Sequence, residues 1–215
     1  MGLFAVENED LVEAALAAGI EPVELLIAGE NVEPELLAEV STLGHAPRVI
    51  GFFRSVDLPR GTREVVLGLW KVGDPGNVGT LLRTADAFDA AVALSPECAD
   101  PLGPRALRAS AGAIFRVPLV RWDDAPGRRV ALVAHGGVLL ADAAGALEPP
   151  LTLFLGAERE GLPPDLLASC DALATIALTG AAESLNVAAA GAIALYELSR
   201  GSPAGGSGPG AGAGG

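Results

Sequence analysis

The stretch ESLNVAAAGAIALYELSR, residues 183–200, restricts the fold more than any other part of the chain. Three polar side chains, Glu183, Ser184 and Asn186, stand at the mouth of a helix with almost no polarity until Glu197. Leu185, Ala188, Ala189, Ala192, Leu195 and Tyr196 make one stripe at helical spacing, and Val187, Ala190, Gly191, Ala194 and Leu198 make a second. A helix apolar on nearly every side must be covered twice. Its small residues let another backbone come close, so it is expected to pack on its own sheet and on a partner subunit. Ser184, taken alone, is equally well an N-cap for the first turn.

Charge narrows the partners. The net charge of −13 argues against nucleic acid until its distribution is followed. Residues 1–47 carry ten acidic and no basic side chains, residues 48–129 balance at +3, and residues 130–215 at −6. A phosphate-binding face is therefore expected from the middle block. Thirteen of the fourteen cations are Arg, which forks onto phosphate and stacks on bases. No apolar run is long enough to span a bilayer and the N-terminus has no signal pattern, so the expected location is the cytoplasm. Cys98 and Cys170 have no CxxC partner, and His45 and His135 are isolated, so neither a disulfide framework nor a metal site is indicated.

Along the chain, residues 1–54 read as a small α/β unit, with helices over 10–18 and 34–40 and strands over 22–28 and 48–53. Such a unit buries little by itself. SVDLPRGT (55–62) has the composition of a linker. From residue 63 to 200 strands and helices alternate: strands at 64–70, 91–95, 115–120, 130–134, 151–155 and 173–178, helices at 78–89, 105–112, 163–169 and 184–200. This rhythm predicts a mostly parallel sheet covered on both faces. The tail at 201–215 is Gly/Ala/Ser/Pro-rich and is expected to be disordered.

Three polar segments, 74–83, 156–162 and 180–186, each follow a predicted strand, which puts them on the rim where such sheets bind ligands. In DPGNVGTLLRTADAF (74–88), Val78, Leu81, Leu82, Ala85 and Phe88 form a buried stripe, while Thr80, Arg83, Thr84 and Ala87 face outward. The glycines fit neither GxGxxG nor GxxxxGK[ST]. Without further context Asn77 is a cap and Arg83 a solvated charge.

Together the three segments closely resemble the SpoU/TrmH family of RNA ribose 2′-O-methyltransferases, in the SPOUT superfamily. NxGxxxRxA is matched by Asn77, Gly79, Arg83 and Ala85, and GxExxGL by Gly156, Glu158, Gly161 and Leu162. The last segment is matched by Ser184, Leu185, Asn186, Val187, Ala190, Ile193, Leu195, Tyr196 and Glu197, and RASAGA (108–113) resembles the connecting segment. The resemblance implies a trefoil-knotted α/β domain, a homodimer with sites near the interface, and S-adenosylmethionine as cofactor. By matching position it implies that Gly156, Ile176, Leu178 and Leu185 contact the cofactor. Asn77, Arg83, Glu158, Ser184 and Asn186 match the polar active-site positions. Residues 1–54 are similar to the family's N-terminal substrate-binding domain, but begin without the basic helix that relatives often carry. The sequence departs from the pattern at Asp89, Arg159 and Ala177.

The chemistry implied is in-line transfer of a methyl group to a ribose hydroxyl, mainly a positioning task. A guanidinium is a permanent cation, so Arg83 is expected to clamp a neighbouring phosphate and stabilise a developing alkoxide, the proton leaving through that phosphate or a water. Ser184, Asn77 and Asn186 would orient ribose and loops, and Glu158 would brace the knot loops. The expected substrate is structured RNA, ribosomal before transfer RNA. Two rivals are an RNA-binding or assembly factor with this fold and little turnover, and a nucleotide-binding α/β protein; the second lacks the phosphate-loop lysine.

Overall fold

The structure is a computed structural model that describes residues 2–42, 46–157 and 159–201. His45, Glu158 and the Gly/Ala-rich tail beyond residue 201 therefore lie outside the described residues. The first unit is a three-stranded antiparallel sheet of β1 (Leu3–Glu7), β2 (Glu24–Ile27) and β3 (Val49–Arg54), in the order β1-β3-β2. Helices α1 (Glu9–Ala17) and α2 (Pro34–Val40) complete it. Sequence reasoning missed β1: its alternation is short, with only Phe4 and Val6 buried, and it runs straight into the acidic start of α1.

This sheet does not stand free. Phe4, Phe53 and Phe115 form a ring cluster with centroids 6.0 to 6.4 Å apart, joining β1 and β3 to the larger unit. At Gly112 (φ +81) a Cβ would sit 2.7 Å from the Ala14 Cβ, so only a glycine lets α1 approach there. The connecting segment also packs. Leu58 is buried, and the Leu119 amide donates to the Pro59 carbonyl at 3.0 Å.

The larger unit holds a seven-stranded sheet. In chain order its elements are β4 (Val65–Leu69), α3 (Pro75–Ala87), β5 (Ala91–Leu94), α4 (Pro104–Ser110), β6 (Leu119–Val120) and β7 (Arg128–Leu132). Then come β8 (Val138–Leu139), α5 (Leu140–Ala143), β9 (Leu151–Leu155), α6 (Pro164–Ala168), β10 (Ala172–Thr175) and α7 (Val187–Gly201). The strand order is β6-β5-β4-β9-β7-β10-β8 and every pairing is parallel. β9 is buried at all five positions, as a central strand covered on both faces must be.

Three sequence expectations change. The strand expected over 115–120 shrinks to Leu119–Val120, because residues 113–115 form a 3-10 turn that turns Ile114 and Phe115 into the core. β8 and α5 are too short to leave a periodic signal. Helix α3 starts at Pro75 rather than Val78, because the Asp74 side chain accepts from the Asn77 amide at 2.9 Å and Pro75 presets the first turn. The glycines around it thus belong to a capped helix start. Asp89, one of the departures from the expected pattern, has φ 53 and pairs with Arg63.

Close backbone contact sets the helix layer. A Cβ on Gly79 would lie 2.4 Å from the Ala106 carbonyl oxygen and 2.5 Å from the Ala109 Cβ, so α3 rests directly on α4. A Cβ on Gly191 would lie 2.4 Å from Leu81 Cδ2, which seats α7 on α3. Val187, Ala188, Gly191, Ala194, Leu195 and Leu198 face inward. Ala189, Ile193 and Tyr196 point out, with Ile193 37% and Tyr196 50% exposed, so one protomer covers only one side of α7. Gly79→Ala should lower unfolding free energy by about 1–3 kcal/mol through overpacking. The check is a urea titration in which the midpoint falls and the slope stays constant.

Candidate active site

Because the sheet is parallel, the loops leaving β4, β7, β9 and β10 emerge on one edge. Three of them, at 132–135, 155–161 and 176–187, enclose a cavity of about 440 Å³. Its wall is apolar where Leu132, Val133, Ile176, Leu178 and Leu185 meet, and carries Ser184 and Glu183 on one side. The loop after β9 turns back on itself: the Gly161 amide donates to the Ala157 carbonyl at 2.9 Å. A Cβ on Gly156 would come within 2.3 Å of the Gly161 carbonyl carbon, so the fold of this wall requires glycine there.

A second, more open cavity of about 720 Å³ adjoins the first and shares Ala157, Arg159 and Glu160 with it. Its other walls are Lys71, Gly73, Asp74 and Asn77 after β4, Glu97 after β5, and Asn186. Asn186 is the N-cap of α7: its carbonyl accepts from Ala190 at 2.9 Å, and its Oδ1 from the amides of Ala188 (2.8 Å) and Ala189 (3.3 Å). The capping role that the sequence also allowed for Ser184 thus falls to Asn186. With its cap bonds made through Oδ1, Asn186 donates from Nδ2 to Asn77 Oδ1 at 3.1 Å. Across the cavity Lys71 Nζ lies 2.8 Å from Glu97 Oε1, and that hydrogen bond holds the ammonium above its usual pKa range.

The four positions expected at the cofactor, Gly156, Ile176, Leu178 and Leu185, line the first cavity, as does Ser184. Asn77 and Asn186 line the second. Arg83 lines neither. It is exposed on the outward face of α3, with no hydrogen bond or ion pair among the described residues. Six residues of helix carry it roughly 9 Å beyond Asn77 and onto another face. Lys71, Glu97 and His135 were not singled out by sequence reasoning. The only available signal was that each lies just past the end of a parallel strand. Among the described residues no group of three His, Cys, Asp or Glu could hold a metal ion.

Residues 64–196 match the family model described as the SpoU rRNA Methylase family. The chain belongs to this family. It is 33% identical over 218 aligned residues, 91% of this chain and 88% of the relative, to the Bacillus subtilis 23S rRNA (guanosine(2553)-2′-O)-methyltransferase RlmP. Among solved structures it resembles an AdoMet-bound rRNA methyltransferase from Sinorhizobium meliloti, with 30% identity, a TM-score of 0.79, and 92% and 87% of the two chains covered. The SpoU methyltransferase AviRb from Streptomyces viridochromogenes, in complex with AdoMet, has 26% identity and a TM-score of 0.79, with 93% and 90% covered.

The two jobs of Asn186 can be separated. Asn186→Ala should cost about 1 kcal/mol of stability through the lost cap. Asn186→Asp keeps an acceptor at a helix N-terminus, so its thermal midpoint should stay at or above wild type while the bond to Asn77 is lost. Equal destabilisation of both variants in a thermal melt would contradict the assignment of Asn186 as the cap.

Proposed function

We infer that this protein methylates a ribose 2′-hydroxyl in ribosomal RNA, taking the methyl group from S-adenosylmethionine. The observation that carries this reading is the pair of adjoining cavities divided by the loop after β9, one cofactor-sized with an apolar wall of Leu132, Val133, Ile176, Leu178 and Leu185, the other lined by the Asn77–Asn186 pair. A volume of about 440 Å³ with apolar walls and a few polar groups suits a nucleoside-bearing cofactor. Gly156, Ile176, Leu178 and Leu185 would hold it. When bound, the cofactor supplies an electrophilic methyl group on a sulfonium. RlmP, whose name records ribose methylation of 23S rRNA, supports ribosomal RNA as the substrate class. No helix among the described residues is long and apolar enough to cross a membrane, and we place the enzyme in the cytoplasm with its RNA.

The chain's own task is to align the hydroxyl and manage its proton. Asn77 and Asn186, fixed to each other, orient the ribose from the second cavity. Ser184 sits on the wall of the first and faces the hydroxyl's approach. Glu158, outside the described residues, is assigned to bracing the loop between the cavities. A trefoil knot in the strand-end loops belongs to the same proposal, as does a substrate-binding role for residues 1–54. Arg83 must reach the site from elsewhere, since its own cavities lie on another face. We propose a homodimer in which the exposed Ala189, Ile193 and Tyr196 face of α7 packs on a second copy. That copy's α3 then delivers Arg83 to phosphate and developing alkoxide.

The test is incubation with labelled S-adenosylmethionine and in vitro-transcribed 23S rRNA, with mass-spectrometric mapping of the product. A single methylated ribose is expected; labelling of a base, or none, would overturn the reading. Arg83→Ala should abolish transfer while cofactor affinity by calorimetry stays within about twofold, as expected where only transition-state contacts are lost. Mixing Arg83→Ala with Asn186→Ala protomers should restore about a quarter of the activity if the arginine acts across the interface. Failure of every mixture to recover would place Arg83 in its own protomer's site.

A further inference from the structure

The sequence has a single lysine, Lys71, among fourteen basic residues. It stands on the wall of the second cavity. We propose that Lys71 is a positioning residue that binds a backbone phosphate of the acceptor strand, and that its ion pair with Glu97 is the resting contact that the phosphate displaces. The proposal rests on the second cavity being the acceptor site.

The backbone is the first argument. Lys71 has φ 49 and Glu97 φ 71, two of only five non-glycine residues with positive φ among those described. That conformation is strained for an ordinary side chain, so it persists only where the surroundings impose it. Here they do. The Lys71 amide donates to the buried Ser95 Oγ at 2.9 Å, and the Ala99 amide to the Val72 carbonyl at 2.9 Å. The loops after β4 and β5 are thereby stitched together, and the backbone at Lys71 is held without help from the Glu97 side chain.

The second argument is chemical. An ammonium has three donors and Glu97 occupies one. The ion pair is partly exposed, so exchanging a carboxylate for a phosphate oxygen costs little. Of the other acids of this wall, Asp74 is already engaged, by Arg105 at 3.3 Å and by the Asn77 amide, while Glu160 faces the ammonium and is the one carboxylate that works against a bound phosphate. Arg159 stands on the shared wall between the cavities and adds a second cation. A flexible point charge beside Asn77 and Asn186 fits a phosphate next to the ribose they orient, and phosphate contacts are what set an RNA's register.

Opposite signs test it. With 23S rRNA transcript as substrate, Lys71→Met should raise KM about tenfold with kcat little changed, and lower the salt slope by about 1. Lys71→Arg should recover most of the loss. Glu97→Gln should lower KM, because it frees the ammonium. If the pair only locks two loops, Glu97→Gln and Lys71→Met will shift KM and thermal midpoint in the same direction, and the proposal falls. Binding is read separately by reductive 13C-methylation, which gives one lysine resonance apart from the chain terminus. Uridine 3′,5′-bisphosphate should shift that resonance in the intact protein; an unmoved resonance at saturation overturns the proposal. Should wild type methylate no RNA, the proposed function fails, while the resonance still decides the role of Lys71.

Discussion

One carboxamide, that of Asn186, ties together parts of the chain 109 residues apart. Its oxygen closes the first turn of α7 and its nitrogen reaches Asn77 in the first turn of α3. Both helices follow strands of one parallel sheet, so their N-termini rise on the same edge, and the bond between them fixes the distance across that edge. The loops after β9 and β10 then have no choice but to wrap the space beside it. The two cavities are the outcome: one lined by Ser184 and Leu185, with an apolar patch on its wall, and a larger, more open one lined by Asn186. A family defined by short polar segments far apart in sequence is, in space, defined by how these loops lean on that bond.

Charge is used more locally than the whole-chain balance suggests. The basic surplus of the middle block is largely spent on neighbours: Arg63 on Asp89, Arg105 on Asp74, Arg116 on Asp86 and Arg121 on Asp124. Exposed pairs of this kind add little to stability, but they remove cations from any broad RNA-binding surface. Arg83 and Arg159 have no such partner among the described residues. Arg159 stands between the cavities, whereas Arg83 and the likewise exposed Arg60, Arg108 and Arg128, which also have no carboxylate partner among the described residues, lie away from them.

Much of the sheet was legible because its strands obey a simple rule. EVVLGLW and LTLFL are continuous apolar runs, and only a strand covered on both faces needs one. Their alternation with helices placed the three motif loops on one edge. Where side chains are shared between units, the rule fails. Phe115 reads as the start of a strand, yet it ends a 3-10 turn and its ring meets Phe4 and Phe53 of the other sheet. Ser184 reads as a cap from its position, yet the amides of Ala188 and Ala189 turn to Asn186 instead, which the pattern alone did not reveal. Lys71 and Glu97 were invisible for a related reason, since each gains meaning only from the loop that faces it. Arg83 was legible as an exposed helix residue, but its distance from both cavities was not.

The register of the sheet also sets an order of events for the chain's synthesis. Leu67 in β4 pairs with Leu153 in β9, so the middle of the core cannot close until most of the protein has emerged. Up to that point β4 can pair only with β5 and leaves its other edge open. An open edge of this composition invites foreign strands. The three strands of the antiparallel leaflet, within residues 3–54, emerge much earlier, but the ring cluster of Phe4 and Phe53 is completed only when Phe115 of the larger unit arrives.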